Sequence, residues 1–263
     1  MDDVNNQFSE APSKKTQHSG LSAQDSALST FPRVILFDID GTLITAVRRP
    51  EYRGSMRQIL TDVFGTYGRI AEVDFAGRTD LAIYREALES DGVSFEIIKE
   101  RLPLVEAAMV ALLDRMAATG QVYRLCPGVG DLLADLSTDQ RFVVSLLTGN
   151  VERLAEAKLR VAGIGHHFRA RGAFGSDAEE RDHLPQIAAE RLKLALGNNL
   201  EPHRFVIVGD TPRDISCARF FGARVVAVAS GQYSVEQLRA HSPDALVPDL
   251  SDTSAITELL AGI

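Results

Sequence analysis

Four consecutive large apolar residues, Val34-Ile35-Leu36-Phe37, run directly into Asp38-Ile39-Asp40-Gly41-Thr42. Such a run reads as a strand covered on both faces, the kind found in parallel sheets flanked by helices. Ligands in these sheets gather at the carboxyl ends of the strands, so Asp38 and Asp40 stand where an active site is expected. Ionised carboxylates this close repel each other, and at neutral pH they favour a cation, a shared proton or both. Mg2+ is the expected cation. Asp-Gly also builds ordinary turns, and the pair alone is compatible with one.

Further along, short apolar runs alternate with helical patterns, as in a chain of βαβ units. The expected strands are 33–39, 142–148, 168–174, 204–210 and 224–230, which predicts a doubly wound, Rossmann-like α/β core with a parallel sheet. Roughly 100 residues separate the first two strands, and structureless loops of that length are rare in compact domains. The insertion reads as helical. Met56, Ile59, Leu60, Val63 and Phe64 follow the stripe of an amphipathic helix, and Leu81, Tyr84 and Leu88 make a shorter one. A third series runs from Phe95 to Met116, with Pro103 expected at a helix start. The predicted organisation is a disordered tail over 1–30, a core over 31–45 and 122–263, and a helical cap over 46–121. The cap stripes read as bundle core.

Two more strand ends repeat the first. Phe142–Leu147 runs into Thr148-Gly149-Asn150, and Phe205–Val208 runs into Gly209-Asp210-Thr211-Pro212-Arg213-Asp214. A Thr hydroxyl and free backbone N–H groups at a helix start suit phosphate oxygens. Asp210 would join Asp38 and Asp40 in the hard oxygen environment that Mg2+ prefers. Each of Thr148, Asn150, Asp210 and Asp214 could also be a helix cap. Three apolar runs ending alike favour function over three coincidences.

The net charge of −8, with no basic tract, argues against nucleic acid or an anionic membrane as partner. A small phosphorylated metabolite remains compatible with a few local cations. Cys126 and Cys217 lie far apart and in no metal-binding pattern, which suggests reduced thiols in a cytoplasmic protein. No stretch approaches the length of a membrane span, and Arg48 and Arg49 are expected to face solvent. Oligomeric state is not legible.

The chain resembles the hydrolases of the haloacid dehalogenase superfamily, in the branch of phosphoglycolate phosphatase and β-phosphoglucomutase. The first motif, DxDGT, matches Asp38–Thr42; the second, a Ser or Thr ending the next core strand, matches Thr148; the fourth, GDxxxD, matches Gly209, Asp210 and Asp214. The resemblance covers about residues 31–250. It departs at the third motif, where the family places a Lys, often followed by Pro. The corresponding stretch here is Glu180-Arg181-Asp182-His183-Leu184-Pro185, so Arg181 is the first choice for the phosphate-binding cation and Lys158 the rival. At a rise of about 1.5 Å per residue, Lys158 stands some 12 Å along a helix starting near Asn150, beyond its expected reach.

What the resemblance implies is a Mg2+-dependent phosphatase that acts through an aspartyl-phosphate on a small phosphorylated metabolite, phosphoglycolate being the leading candidate, with a phosphomutase of the β-phosphoglucomutase type or a non-catalytic binding or regulatory protein as alternatives. Asp38 would be nucleophile, Asp40 acid and base, and Mg2+ would be held by Asp38, the Asp40 carbonyl and Asp210. Thr148, Gly149, Asn150 and Arg181 would bind the phosphoryl group with the N–H groups near Gly41 and Thr42, while Asp214 supports them from behind. The segment Phe75–Asp80 resembles the loop by which such caps reach the site. Arg78 in it could meet a substrate anion, or stand in solvent beside a helix cap at Thr79 or Asp80.

Overall fold

The structure, a computed structural model, describes residues 32–47, 50–196 and 200–263. The expected tail over 1–30, and Arg48 and Arg49, lie outside the described residues. Residues Pro32–Ile263 form one compact unit.

The core is a five-stranded parallel sheet built from β1 (Arg33–Phe37), β4 (Phe142–Leu146), β5 (Phe205–Gly209), β6 (Arg224–Val228) and β7 (Ala245–Val247), in the order β4-β1-β5-β6-β7. Side chains alternate along each strand between two buried layers. Ile35 and Phe37 of β1 pack with α4 (Val129–Thr138), α5 (Glu152–Val161) and α9 (Thr253–Gly262). Val34 and Leu36 pack on the other side with α6 (Leu184–Leu196), α7 (Pro212–Phe221) and α8 (Val235–Arg239). The apolar run at 34–37 therefore reflects two covered faces. Strand order reverses direction at β1, so the carboxyl ends of β1, β4 and β5 open onto one crevice.

Two strand expectations need correction. Residues 168–174 make only an isolated bridge, Leu147 to Ala173; with Arg169, Arg171 and Gly172 in the segment, too little apolar surface alternates to sustain a strand. The fifth strand is β7, three residues between Pro243 and Pro248, too short and too closely flanked by prolines to show a pattern. A two-stranded antiparallel ribbon, β2 (Ile44–Ala46) with β3 (Tyr123–Leu125), joins the two ends of the insertion.

The insertion consists of α1 (Pro50–Phe64), α2 (Asp80–Leu88) and α3 (Phe95–Thr119). The expected stripes are buried in a separate apolar cluster, with Leu60, Tyr84, Ile98 and Met109 among its most enclosed side chains. Pro103 does not start a helix: α3 runs through it. Pro103 and Lys99, whose carbonyl loses its helical partner, are both exposed, so water can take the freed acceptor. Helix α5 belongs to both clusters, with Ala155 and Leu159 facing the core and Leu154 and Ala157 facing the cap.

Candidate active site

Asp38 is the first residue past β1. Its N–H still donates to Val208 O (2.9 Å), which pins the chain as it leaves the sheet. Gly41 then turns with φ +91°, and a Cβ there would stand 2.4 Å from an Asp210 carboxylate oxygen. Only glycine lets the turn come this close to Asp210. The Gly41 N–H donates to Ile44 O (2.8 Å), and the Thr42 hydroxyl donates to Asp210 Oδ1 (3.2 Å). In this conformation both groups hold the turn and Asp210.

Asp38, Asp210 and Asp214 are buried, with carboxylate oxygens within 4.8 Å of one another. Burial pushes the Asp38 carboxyl up to about 7. Arg181 beside it pulls the other way, and Asp214 and Asp40 add to the rise. Burial, then Asp38 and Asp214, push Asp210 up to about 8. Clustered carboxylates with raised affinity for protons are short of positive charge, and an all-oxygen donor set suits a hard divalent ion such as Mg2+. Asp214 is tied into α7: Thr211 donates to its Oδ2 through N–H (3.0 Å) and hydroxyl (2.7 Å), a capping box at the helix start. Its other oxygen accepts from Arg181.

Arg181 sits on a short 3-10 turn just before α6. The same Nη2 that meets Asp214 donates to Asp38 Oδ1 (3.1 Å), while its Nε is buried without a partner. The first-choice cation is thus at the candidate nucleophile. So is the rival at the second aspartate: Lys158 Nζ lies 2.6 Å from Asp40 Oδ2 and 2.6 Å from Asn150 Oδ1. The axial-rise argument against Lys158 fails. Helix α5 begins at Glu152, side chains tilt toward the helix start, and Asp40 and Asn150 extend their own side chains to meet the ammonium. Burial acts against that ammonium, but Asp40 and the phenols of Tyr123 and Tyr52 outweigh it and hold the Lys158 pKa above its usual value.

Asn150 links the groups, its Nδ2 donating to Asp40 Oδ2 (2.8 Å) and Thr148 Oγ1 (2.8 Å). Thr148 Oγ1 also accepts from Asn150 N–H (3.3 Å), which leaves its proton for another acceptor. Gly149 has a different use. Its carbonyl accepts from Asp80 N–H (2.7 Å), and a Cβ on it would come within 1.8 Å of Arg78 O, so it permits close contact with the Phe75–Asp80 segment.

In that segment Thr79 caps α2, accepting from Ala82 N–H (3.2 Å). Arg78 is held by Glu86 and by the Ala82 carbonyl; it lines the cavity with its guanidinium already paired. Asp80, the other candidate cap, instead accepts from Val151 N–H (2.8 Å), a contact the sequence did not suggest. Sequence reading also missed Ser230, whose hydroxyl donates to Gly41 O (2.7 Å). Ser230-Gly231 follows β6 at the same sheet edge, and extending the expected strand to 230 hid this fourth polar strand end.

An open parallel sheet in 2-1-3-4-5 order, with carboxylates at its switch point, defines the class of α/β protein. The family model for haloacid dehalogenase-like hydrolases matches residues 35–219, and the chain belongs to this family. A phosphoglycolate phosphatase of Pseudomonas putida is 27% identical over 225 residues, covering 84% of this chain and 78% of that protein. One from Synechococcus elongatus is 29% identical over 230 residues, covering 87% and 99%. The crystal structure of a predicted phosphoglycolate phosphatase from Haemophilus somnus aligns with a TM-score of 0.60 at 22% identity, covering 86% of this chain and 98% of that one; at that identity the likeness is one of fold. Family and relatives make the chain an enzyme, a phosphoric monoester hydrolase.

Proposed function

We propose that the protein hydrolyses a small phosphorylated metabolite through an aspartyl-phosphate on Asp38. The observation that carries this reading is the pairing of two aspartates with two cations: Arg181 on Asp38 and Lys158 on Asp40. Arg181 orients the Asp38 carboxylate and brings a positive charge to the place where the phosphoryl group is transferred. Asp38 attacks phosphorus, which divides one displacement into two. Asp40 gives a proton to the departing alcohol and then takes one from the attacking water. Its Oδ2 accepts from Lys158 and Asn150, and Oδ1, with no partner among the described residues, is the oxygen left for that transfer. The Thr148 hydroxyl is a further phosphoryl donor.

Asp38 and Asp210, with the Asp40 carbonyl, would hold Mg2+, and Asp214 would brace Arg181 behind them. When bound, the ion would offset negative charge on the transferring group. Asp40 speaks for phosphate esters over haloacids, because a departing halide needs no proton. Phosphoglycolate, the leading candidate from the family resemblance, is also the substrate in the names of these relatives. Two buried free thiols support a reducing, cytoplasmic setting, and none of the described helices is long and apolar enough to cross a membrane.

The test is Asp38→Asn. Phosphate release from 4-nitrophenyl phosphate with Mg2+ should fall at least about 1,000-fold, as expected on losing a covalent nucleophile. Turnover near that of the unmodified protein would refute the nucleophile assignment.

A further inference from the structure

The crevice over Asp38, Asp40 and Asp210 and the space under the insertion form one cavity of about 1130 Å³. Pockets for drug-sized ligands run from about 300 to 1,000 Å³, so a phosphorylated two-carbon acid would leave most of this one to water. More of its wall is apolar than polar. Met56, Ile83, Met109, Leu113, Met116 and Val122 line it, and each is nine-tenths or more buried. Three of the six are methionines, whose unbranched side chains adapt to irregular apolar guests.

The charged groups on the cavity are nearly all engaged. Lys158 and Arg181 are held by carboxylates and Arg78 by Glu86 and a carbonyl; Arg53, the remaining lining guanidinium, is exposed. A substrate carboxylate carried in among the methionines would lose its hydration, and of the described lining cations only the exposed Arg53 is not held by a carboxylate, so burying that charge is unfavourable. Three phenols, Tyr52, Tyr84 and Tyr123, also line the cavity and make no hydrogen bond to any described residue. Tyr84 is 1% exposed. Their rings extend the apolar wall, and their hydroxyls offer a few fixed points of orientation.

We propose that the enzyme's substrate is a phosphomonoester whose alcohol carries a branched alkyl or aromatic body, seated among these methionines and tyrosines with the phosphate over Asp38. The proposal rests on the phosphatase reading and turns its substrate away from phosphoglycolate. Ethyl phosphate and n-hexyl phosphate share a leaving-group chemistry, so their kcat/KM ratio reads the fit of the chain alone. At about fourfold per buried methylene, hexyl phosphate should lead by a factor on the order of 100. A ratio within threefold of one, or a preference for phosphoglycolate, overturns the proposal.

Failure to turn over any of the three would count against the phosphatase reading, and binding then decides the cavity's role separately. By calorimetry with Mg2+ present, hexylphosphonate should bind on the order of 100-fold more tightly than ethylphosphonate; equal affinities overturn the proposal whether or not the protein is a catalyst. Met56→Trp and Met116→Trp each fill part of the cavity. Whichever retains a cooperative thermal melt should lose most of the chain-length dependence, and an undiminished dependence would place the alkyl group elsewhere and sink the assignment.

Discussion

The floor of the cavity and its roof are both buried, yet they are held together by different forces. On the floor Asp38, Arg181, Asp210 and Asp214 are charged or chargeable groups almost wholly withdrawn from water, and each position is defined by hydrogen bonds to named partners. On the roof Met56, Met109, Leu113 and Met116 belong to an apolar cluster. Charges brought this close need specific partners, because removing one leaves the others uncompensated. Apolar contacts are non-directional and tolerate changes of shape. The floor is therefore suited to a reaction that requires fixed angles, and the roof to selecting whatever the reaction releases.

The largest expected effect lies on the floor and concerns chemistry. Asp40→Asn keeps an oxygen for Lys158 and Asn150 but cannot exchange a proton. Its kcat/KM on ethyl phosphate should fall by about 100- to 10,000-fold, the usual contribution of general acid–base catalysis. A 4-nitrophenolate needs little protonation to leave, so the loss on 4-nitrophenyl phosphate should be clearly smaller. Equal losses on the two substrates would remove Asp40 from the acid role.

Next comes a direct contrast in stability. Arg181→Met breaks a buried ion pair and should cost about 3–5 kcal/mol in urea unfolding. Met109→Ala, on the roof, should cost about 2–5 kcal/mol by leaving a cavity. Size does not separate them; their response to Mg2+ does. A cation bound to the carboxylates stabilises the folded state by mass action, and it should recover more of the Arg181→Met loss than of the Met109→Ala loss. Equal recovery would mean that the ion does not sit with Asp38 and Asp210.

The floor was also far more legible in the sequence than the roof. Asp38, Thr148 and Asp210 each end an apolar run, so one-dimensional spacing already places them at one sheet edge, and the structure brings them together. Arg181 was readable as a cation before a helix. Lys158 was misjudged because a rise per residue measures backbone positions and omits how far Asn150 and Asp40 extend toward it. The cap stripes were rightly read as core, but periodicity cannot say whether a core closes fully, and here it leaves the cavity open. β7 and the β2–β3 ribbon, three residues per strand, are defined by their neighbours rather than by their own composition, as short strands are.

Lys158→Met compares the two cations. It removes a charge-assisted hydrogen bond to Asp40, and such bonds contribute about 1.5–3 kcal/mol, so kcat/KM on ethyl phosphate should drop by about 10- to 100-fold. The loss should fall on kcat with KM little changed if the lysine serves Asp40. A rise in KM with kcat intact would instead make Lys158 a phosphate ligand and reopen the choice between it and Arg181.

The smallest expected effect lies at the seam between roof and floor. Burial pushes the Asp80 carboxyl up to about 6, against the Val151 N–H and Lys158, which favour its ionised form. Because the folded state holds this proton more tightly than the unfolded chain does, the group favours folding at low pH, and that contribution is lost as pH rises from about 4 through about 6. Asp80→Asn can keep an acceptor for Val151 while removing the titration. Measured by urea unfolding, the variant should gain on the unmodified protein by about 1 kcal/mol or more between pH 4 and pH 7, at 1.36 kcal/mol per unit of pKa difference before allowance for water reaching a half-buried group. A stability difference independent of pH would show Asp80 to be as well hydrated in the folded protein as in the unfolded chain, and the seam would then behave as surface rather than as part of the floor.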